Sequence, residues 1–182
     1  MRKEIILVAF VAVLAGCSSR IPNSISPDEY RIYSDYITAH FKSDPGKLYV
    51  NTRTFSFDPL DDDPGSPCGK ELRRRKGEPF SLAKQFQALG EAEYPLKLTS
   101  SGPTLRIPWK YAPVDDWKQI PDKPGTYWLV EFSRVAFNCA RTRAFFAVSN
   151  VCGGECGNGG TIYAKRENGS WIFGNGYCSW VY

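Results

Sequence analysis

Polar and apolar positions alternate most clearly in the last third of the chain, from Thr126 to Tyr182. Along Thr126 to Phe137, Trp128, Val130 and Phe132 fall on one side and Leu129, Glu131 and Ser133 on the other. That period of two, in a run rich in aromatic and β-branched residues, predicts a half-buried strand. Asn138 to Thr142 reads as a turn, and Arg143 to Ser149 runs back. A glycine-rich loop, Cys152-Gly-Gly-Glu-Cys156-Gly-Asn-Gly-Gly160, leads to a third strand, Thr161 to Arg166. Asn168-Gly169 suits the positive φ of a tight hairpin. The fourth strand starts at Ser170, is interrupted by Gly174-Asn-Gly176 and resumes at Tyr177. Short turns predict a four-stranded antiparallel meander.

The period changes to that of a helix near the other end. Ser26-Pro27-Asp28-Glu29 combines an N-cap serine, proline at the first helical position and glutamate three after the cap. Tyr30, Tyr33, Ile37 and Phe41 follow on one helical face, and Asp44-Pro-Gly46 ends it. Lys47 to Phe57 reads as a strand. Asp58 to Gly77, acidic at first and basic later, reads as a solvated loop. Ser81 is placed to cap a short helix through Leu82, Phe86 and Leu89. Pro95 to Trp109 offers one or two edge strands, and Val114 to Ile120 a helical turn or two. Helices first and antiparallel strands last make the expected class α+β: an N-terminal helix, a few short strands and helices, then the meander.

The chain carries Ser26-Pro-Asp-Glu-Tyr-x-x-Tyr33 near its start, then Phe132-Ser-Arg-Val-Ala-Phe-Asn138, Cys152-Gly-x-x-Cys156-Gly-x-Gly159, Asn168-Gly-x-Trp171 and a closing Trp180-Val. Together they resemble a family of bacterial exported proteins of unknown function. The resemblance implies a shared architecture and brings no activity, substrate or catalytic residue.

The first residues change the picture most. Arg2 and Lys3 precede an apolar run from Ile5 to Ala15 that ends in Leu14-Ala-Gly-Cys17. A run of about 11 residues is too short to span a bilayer and reads as a signal peptide. Cys17 directly after Leu-Ala-Gly resembles a bacterial lipobox, which implies acylation of Cys17 and cleavage before it. The expected organisation is therefore a signal peptide over 1–16, a lipidated tether over 17–25 and one α+β domain over 26–182. Ser18 rather than Asp after the cysteine resembles lipoproteins sorted to the outer membrane, facing the periplasm. Cleavage takes 16 of the 182 residues and leaves 166, enough for one domain with its own core. The full chain carries a net charge of +4, too mild a balance to argue for nucleic acid.

Five cysteines remain after Cys17, in a compartment where pairs oxidise, and the odd count leaves one unpaired or bonded to another chain. On the meander, Cys139 and Cys178 fall at opposite ends of the sheet. The expected bonds are Cys152–Cys156 and Cys68 with either Cys139 or Cys178. Chain entropy assigns about 2 kcal/mol to the short loop and roughly 4 to the long one.

Candidate chemistry is thin. Cys152, Cys156 and Cys178 lack a fourth zinc ligand, and Asp58 and Asp61 to Asp63 lack the calcium-loop pattern, so no metal and no cofactor is expected. His40 is the single histidine, at a predicted helix end where it complements the dipole. The glycines of 153–160 have no following Lys-Ser/Thr or helix and read as a pinned turn rather than a phosphate loop. Lys70, Arg73, Arg74, Arg75 and Lys76 form the one charged run, and Arg73 to Lys76 are candidate contacts for anionic lipid. The function read from these residues is a non-enzymatic, membrane-anchored domain that binds an envelope protein or lipid. The alternative is an envelope hydrolase using carboxylates drawn from Asp115, Asp116, Glu131 and Glu155, set in a groove between helix and sheet.

Overall fold

A computed structural model describes residues 23–41, 47–60, 67–74, 77–90, 92–96, 111–114, 127–152, 156–174 and 176–181. In chain order the elements are α1 (Pro27–His40), β1 (Lys47–Asn51), α2 (Pro67–Arg74), α3 (Glu78–Leu89), β2 (Tyr111–Val114), β3 (Tyr127–Phe132), β4 (Ala136–Phe137), β5 (Arg143–Val151), β6 (Gly157–Glu167), β7 (Ser170–Phe173) and β8 (Ser179–Val181). The fold is α+β. One sheet runs in the order β2-β1-β3-β5-β6-β7, with β4 also on β5 and β8 also on β6.

β5 is the middle of the molecule because both its faces are apolar. Ala144, Phe146 and Val148 meet α1, whose Ile32, Tyr33, Tyr36 and Ile37 are buried with Val130 and Phe132 of β3. Phe145 and Ala147 point the other way, onto Leu82, Ala83 and Phe86 of α3 and Leu72 of α2. Helices thus cover both faces of the sheet, and each alternate residue of β5 belongs to a different core layer.

α1 starts as its sequence dictates. The Ser26 hydroxyl accepts from the Glu29 amide, and the Glu29 carboxylate accepts from the Ser26 amide. The hairpin between β6 and β7 is likewise the expected one, with Asn168 at φ 49° and Gly169 at φ 83°.

Four expectations change. The first strand of the meander breaks at Ser133-Arg134-Val135, where β3 stops and β4 begins. The Ser133 amide donates to the Ala147 carbonyl and its hydroxyl accepts from the Ala147 amide, which holds the break against β5. The last strand ends at Phe173, and β8 pairs with Asn158 to Gly160 of β6 rather than continuing β7. Glycine permits this return: a Cβ on Gly159 would overlap the Trp180 ring, and one on Gly176 the Thr161 carbonyl. β1 extends the sheet by parallel pairing with β3 and β2, which hairpin logic could not foresee. Finally, the segment read as a solvated loop contains α2, anchored by the fully buried Leu72, and α3 starts at Glu78 after Gly77 rather than at a Ser81 cap. Val114, read as the start of a helical turn, closes β2 instead, and Pro95, read as opening an edge strand, makes a single antiparallel bridge with Arg53; the rest of those two segments, 97–109 and 115–120, lies outside the described residues.

Candidate functional site

Two motifs 105 residues apart meet inside the protein. Arg134, turned inward by the break after β3, donates from Nε to Glu29 Oε1 at 2.7 Å and from Nη2 to Oε2 at 3.3 Å. The same carboxylate accepts from the Val135 amide at 3.2 Å and the Ser26 amide at 2.8 Å. The side chains are only 2% and 1% exposed, so the charges have little water around them. Arg134 also donates to the Ser24 carbonyl and lies 4.3 Å from the centre of the Tyr94 ring. Tyr33 donates to the Ser133 carbonyl at 2.7 Å, and burial first, then Glu29, raises its pKa well above the usual range. A buried pair adds little net stability over an apolar one, but losing one partner leaves a charge stranded. The arrangement is a clasp that fixes where α1 enters the fold.

A recess of about 170 Å³ opens on the α1 face of β5 and β6. Tyr36, Val148, Asn150, Asn158, Gly160 and Ile162 line it, with the 176–179 return at its rim. Asn150 is 8% exposed, and its Nδ2 donates to Tyr36 Oη at 3.5 Å and to Asn158 Oδ1 at 3.3 Å. Its Oδ1 is buried and, among the described residues, has no hydrogen-bond donor. An unmet buried acceptor costs about 1–3 kcal/mol. Tyr36 stacks on His40 at 4.0 Å between ring centres, and burial raises its pKa against the opposing hydrogen bond from Asn150. It therefore stays a neutral hydroxyl over the physiological range.

The cysteines sort partly as expected. Cys152 and Cys156 stand at disulfide distance, Cα atoms 5.2 Å apart, at the glycine-rich turn. Of the two alternatives for Cys68, Cys178 is the partner, at 4.9 Å between Cα atoms. This bond ties α2 to the return strand and forms one wall of a groove of about 410 Å³ with Lys70, Glu71, Arg74, Tyr177 and Ser179. Among the described residues no cysteine is free, so the odd thiol expected from the count is not found there. Cys139 lies in the exposed turn before β5.

The basic run divides. Arg73 folds back, donating from Nε to the Gly69 carbonyl and from Nη2 to the Leu60 carbonyl. Arg74 faces the groove with Lys70, whereas Arg75 and Lys76 lie outside the described residues, as does Cys17. Among the hydrolytic candidates, Glu131 accepts from Asn51 Nδ2 at 2.8 Å; Asp115, Asp116 and Glu155 lie outside the described residues. His40 caps the last turn of α1 with its Nδ1 2.9 Å from the Tyr36 carbonyl. Among the described residues there is no group of three or more potential metal ligands, and no helix is long and apolar enough to cross a membrane.

Sequence reasoning missed the Asn150 recess because it ended the second strand at Ser149. The legible signal was Ser149-Asn150 itself, a polar pair at the end of an otherwise apolar run that stays buried. Compared with family models, curated proteins and solved structures, the chain has no match.

Proposed function

We propose that this chain is an exported, lipid-anchored protein whose single α+β domain binds a ligand and performs no chemistry on it. The observation that carries the binding half is the open recess on the α1 face of β5 and β6, lined by Tyr36, Asn150 and Asn158. A reacting site needs a nucleophile or a titrating acid and base. Here His40 is packed on Tyr36, and Glu131 is held by Asn51. The anchoring half rests on Leu14-Ala-Gly-Cys17 and the short apolar run before it. On this reading residues 1–16 are removed, Cys17 is acylated and 17–25 tether the domain to the outer membrane on its periplasmic side. The motifs ally it with the exported family it resembles. Lys70 and Arg74, which line the groove, supply the face that meets anionic headgroups or an envelope protein, at roughly 1 kcal/mol per cation near the surface, and Arg75 and Lys76 follow them in the sequence.

Fractionation tests this. Wild-type protein is expected to stay with membranes through high-salt and alkaline washes, because acyl chains hold it by apolar burial rather than charge. Cys17→Ala is expected to leave the membrane fraction. Wild-type protein that washes off in plain buffer contradicts the anchor.

A further inference from the structure

We infer that the end of the sheet where α1 begins is a membrane-facing surface, resting on anionic phospholipid headgroups through Arg31, Lys165 and Arg166. This builds on the lipid anchor proposed above and adds which way the domain stands on it.

Covalent reach decides which surface lies nearest the membrane. The segment from Cys17, the anchored residue on that reading, to Ser24 spans about 25 Å at most. Ser24 is held: its carbonyl accepts from Arg134, and Ile25 beside it is buried. Just inside that entry, Asp28 pairs with Arg141 in the turn before β5. Arg31 donates to the Gly169 carbonyl at 2.6 Å in the β6–β7 hairpin. The chain entry, the 138–142 turn and the 167–170 hairpin therefore share one end of the sheet. β5 runs nine residues from there, roughly 30 Å, to the glycine-rich turn at the far end. A domain hung by its entry keeps the first end within reach of headgroups, and the tether replaces most of the affinity a free protein would need.

The side chains at the entry end suit an anionic surface. Arg31 and Lys165 are exposed, and Arg166 is half-buried. Arg31 donates to a neutral carbonyl and keeps its charge. Among the described residues, neither Lys165 nor Arg166 has a carboxylate within ion-pair distance. Nearby carboxylates are turned onto the protein: Asp28 onto Arg141, Glu78 onto Asn138 and the Tyr163 hydroxyl, Asp35 onto the Trp171 amide. Glu167, exposed on the same side of β6 as Lys165, partly offsets it. Ile172 adds an apolar contact, being 52% exposed and directly across the ladder from Lys165. An aliphatic side chain beside cations fits the headgroup boundary, with its apolar part towards acyl chains and the charges on phosphate. The α2 groove lies beside Cys178, level with Thr161 in the middle of β6, and so stands on the flank between the two ends.

The test uses protein extracted from its envelope, its acyl chains confirmed by mass, in lipid nanodiscs carrying a gadolinium-chelate headgroup. One set of discs contains phosphatidylglycerol, the other phosphatidylcholine alone. Amide broadening in ¹H–¹⁵N spectra is read at Thr142, Gly169 and Ile172 for the entry end, and at Gly157 and Asn158 for the far end. The anionic discs are expected to broaden the entry end far more than the far end. That contrast is expected to shrink in phosphatidylcholine and in high salt. Lys165→Gln with Arg166→Gln is expected to lower the ratio of entry-end to far-end broadening, by roughly fivefold for each cation lost. Glu167→Gln, which removes the opposing charge, is expected to raise it. Unchanged positions of the far-end signals show that the variants keep the fold. Equal broadening at both ends, or more at the far end, overturns the inference. A contrast that ignores lipid charge overturns the headgroup assignment. Because the acyl chains are confirmed first, these failures leave the anchor standing, whereas a chain without acyl groups removes both readings.

Discussion

At the scale of single residues, the Glu29–Arg134 pair carries the most consequence. Ser26-Pro-Asp-Glu29 is legible as a helix start, and Phe132 to Phe137 as strand, yet neither pattern announces that they touch. The sequence has no period that encodes a side chain turned inward at a strand break. The energetic prediction is asymmetric. Arg134→Met strands the Glu29 carboxylate in the core and is expected to cost about 3–5 kcal/mol in urea unfolding. Adding Glu29→Gln, which keeps the capping amide interaction, is expected to restore most of that loss, giving a coupling term of a few kcal/mol. Additive single losses would contradict the clasp.

A second residue-scale outcome concerns Tyr163. Its hydroxyl donates to Glu78 Oε2 at 2.9 Å, and its pKa is pushed up from 10.0 to about 12, first by burial and then by that bond and the Glu78 charge. The folded state therefore holds this proton harder than the unfolded chain does. Its contribution to stability is complete below pH 10.0 and is lost as pH rises through about 12. Alkaline difference absorbance is expected to show several late-titrating phenols, Tyr33 and Tyr36 among them, and Tyr163→Phe is expected to remove the one near pH 12. Glu78→Gln is expected to bring that titration down but not to the free value, because burial remains.

At the scale of elements, what was readable followed local rules and what was not followed long-range ones. The capping box of α1, the Asn168-Gly169 hairpin and the antiparallel run through β5 and β6 each depend on neighbours a few residues apart. β1 joins β3 by parallel pairing across about 80 residues of chain, and α2 is held by Leu72 and by Cys68, whose partner is 110 residues away. A segment of charges, Pro and Gly looks like loop until that distant wall is supplied. The 152–156 and 68–178 disulfides should then differ in weight. Chain entropy gives roughly 2 kcal/mol for the 152–156 link and nearly 5 for the 68–178 link. Replacing both members of each pair by Ala is expected to lower the melting temperature more for Cys68 and Cys178. The reverse order would mean that the glycine turn, not the α2 tie, is the principal staple.

At the scale of the whole molecule, the sheet is a partition with α1 on one side and α2 and α3 on the other. The recess opens on the α1 side, and the basic groove lies at the α2 wall. Two separated surfaces suit a tethered domain that meets a membrane with one and a ligand with the other. The compartment is the premise of the whole account, and it comes from the first seventeen residues alone. The most direct measurement is therefore the intact mass of the protein extracted from its own envelope. The account predicts a chain beginning at Cys17 and heavier than its sequence by attached acyl groups. A mature protein that keeps residues 1–16, or begins at Cys17 with no added mass, would contradict it.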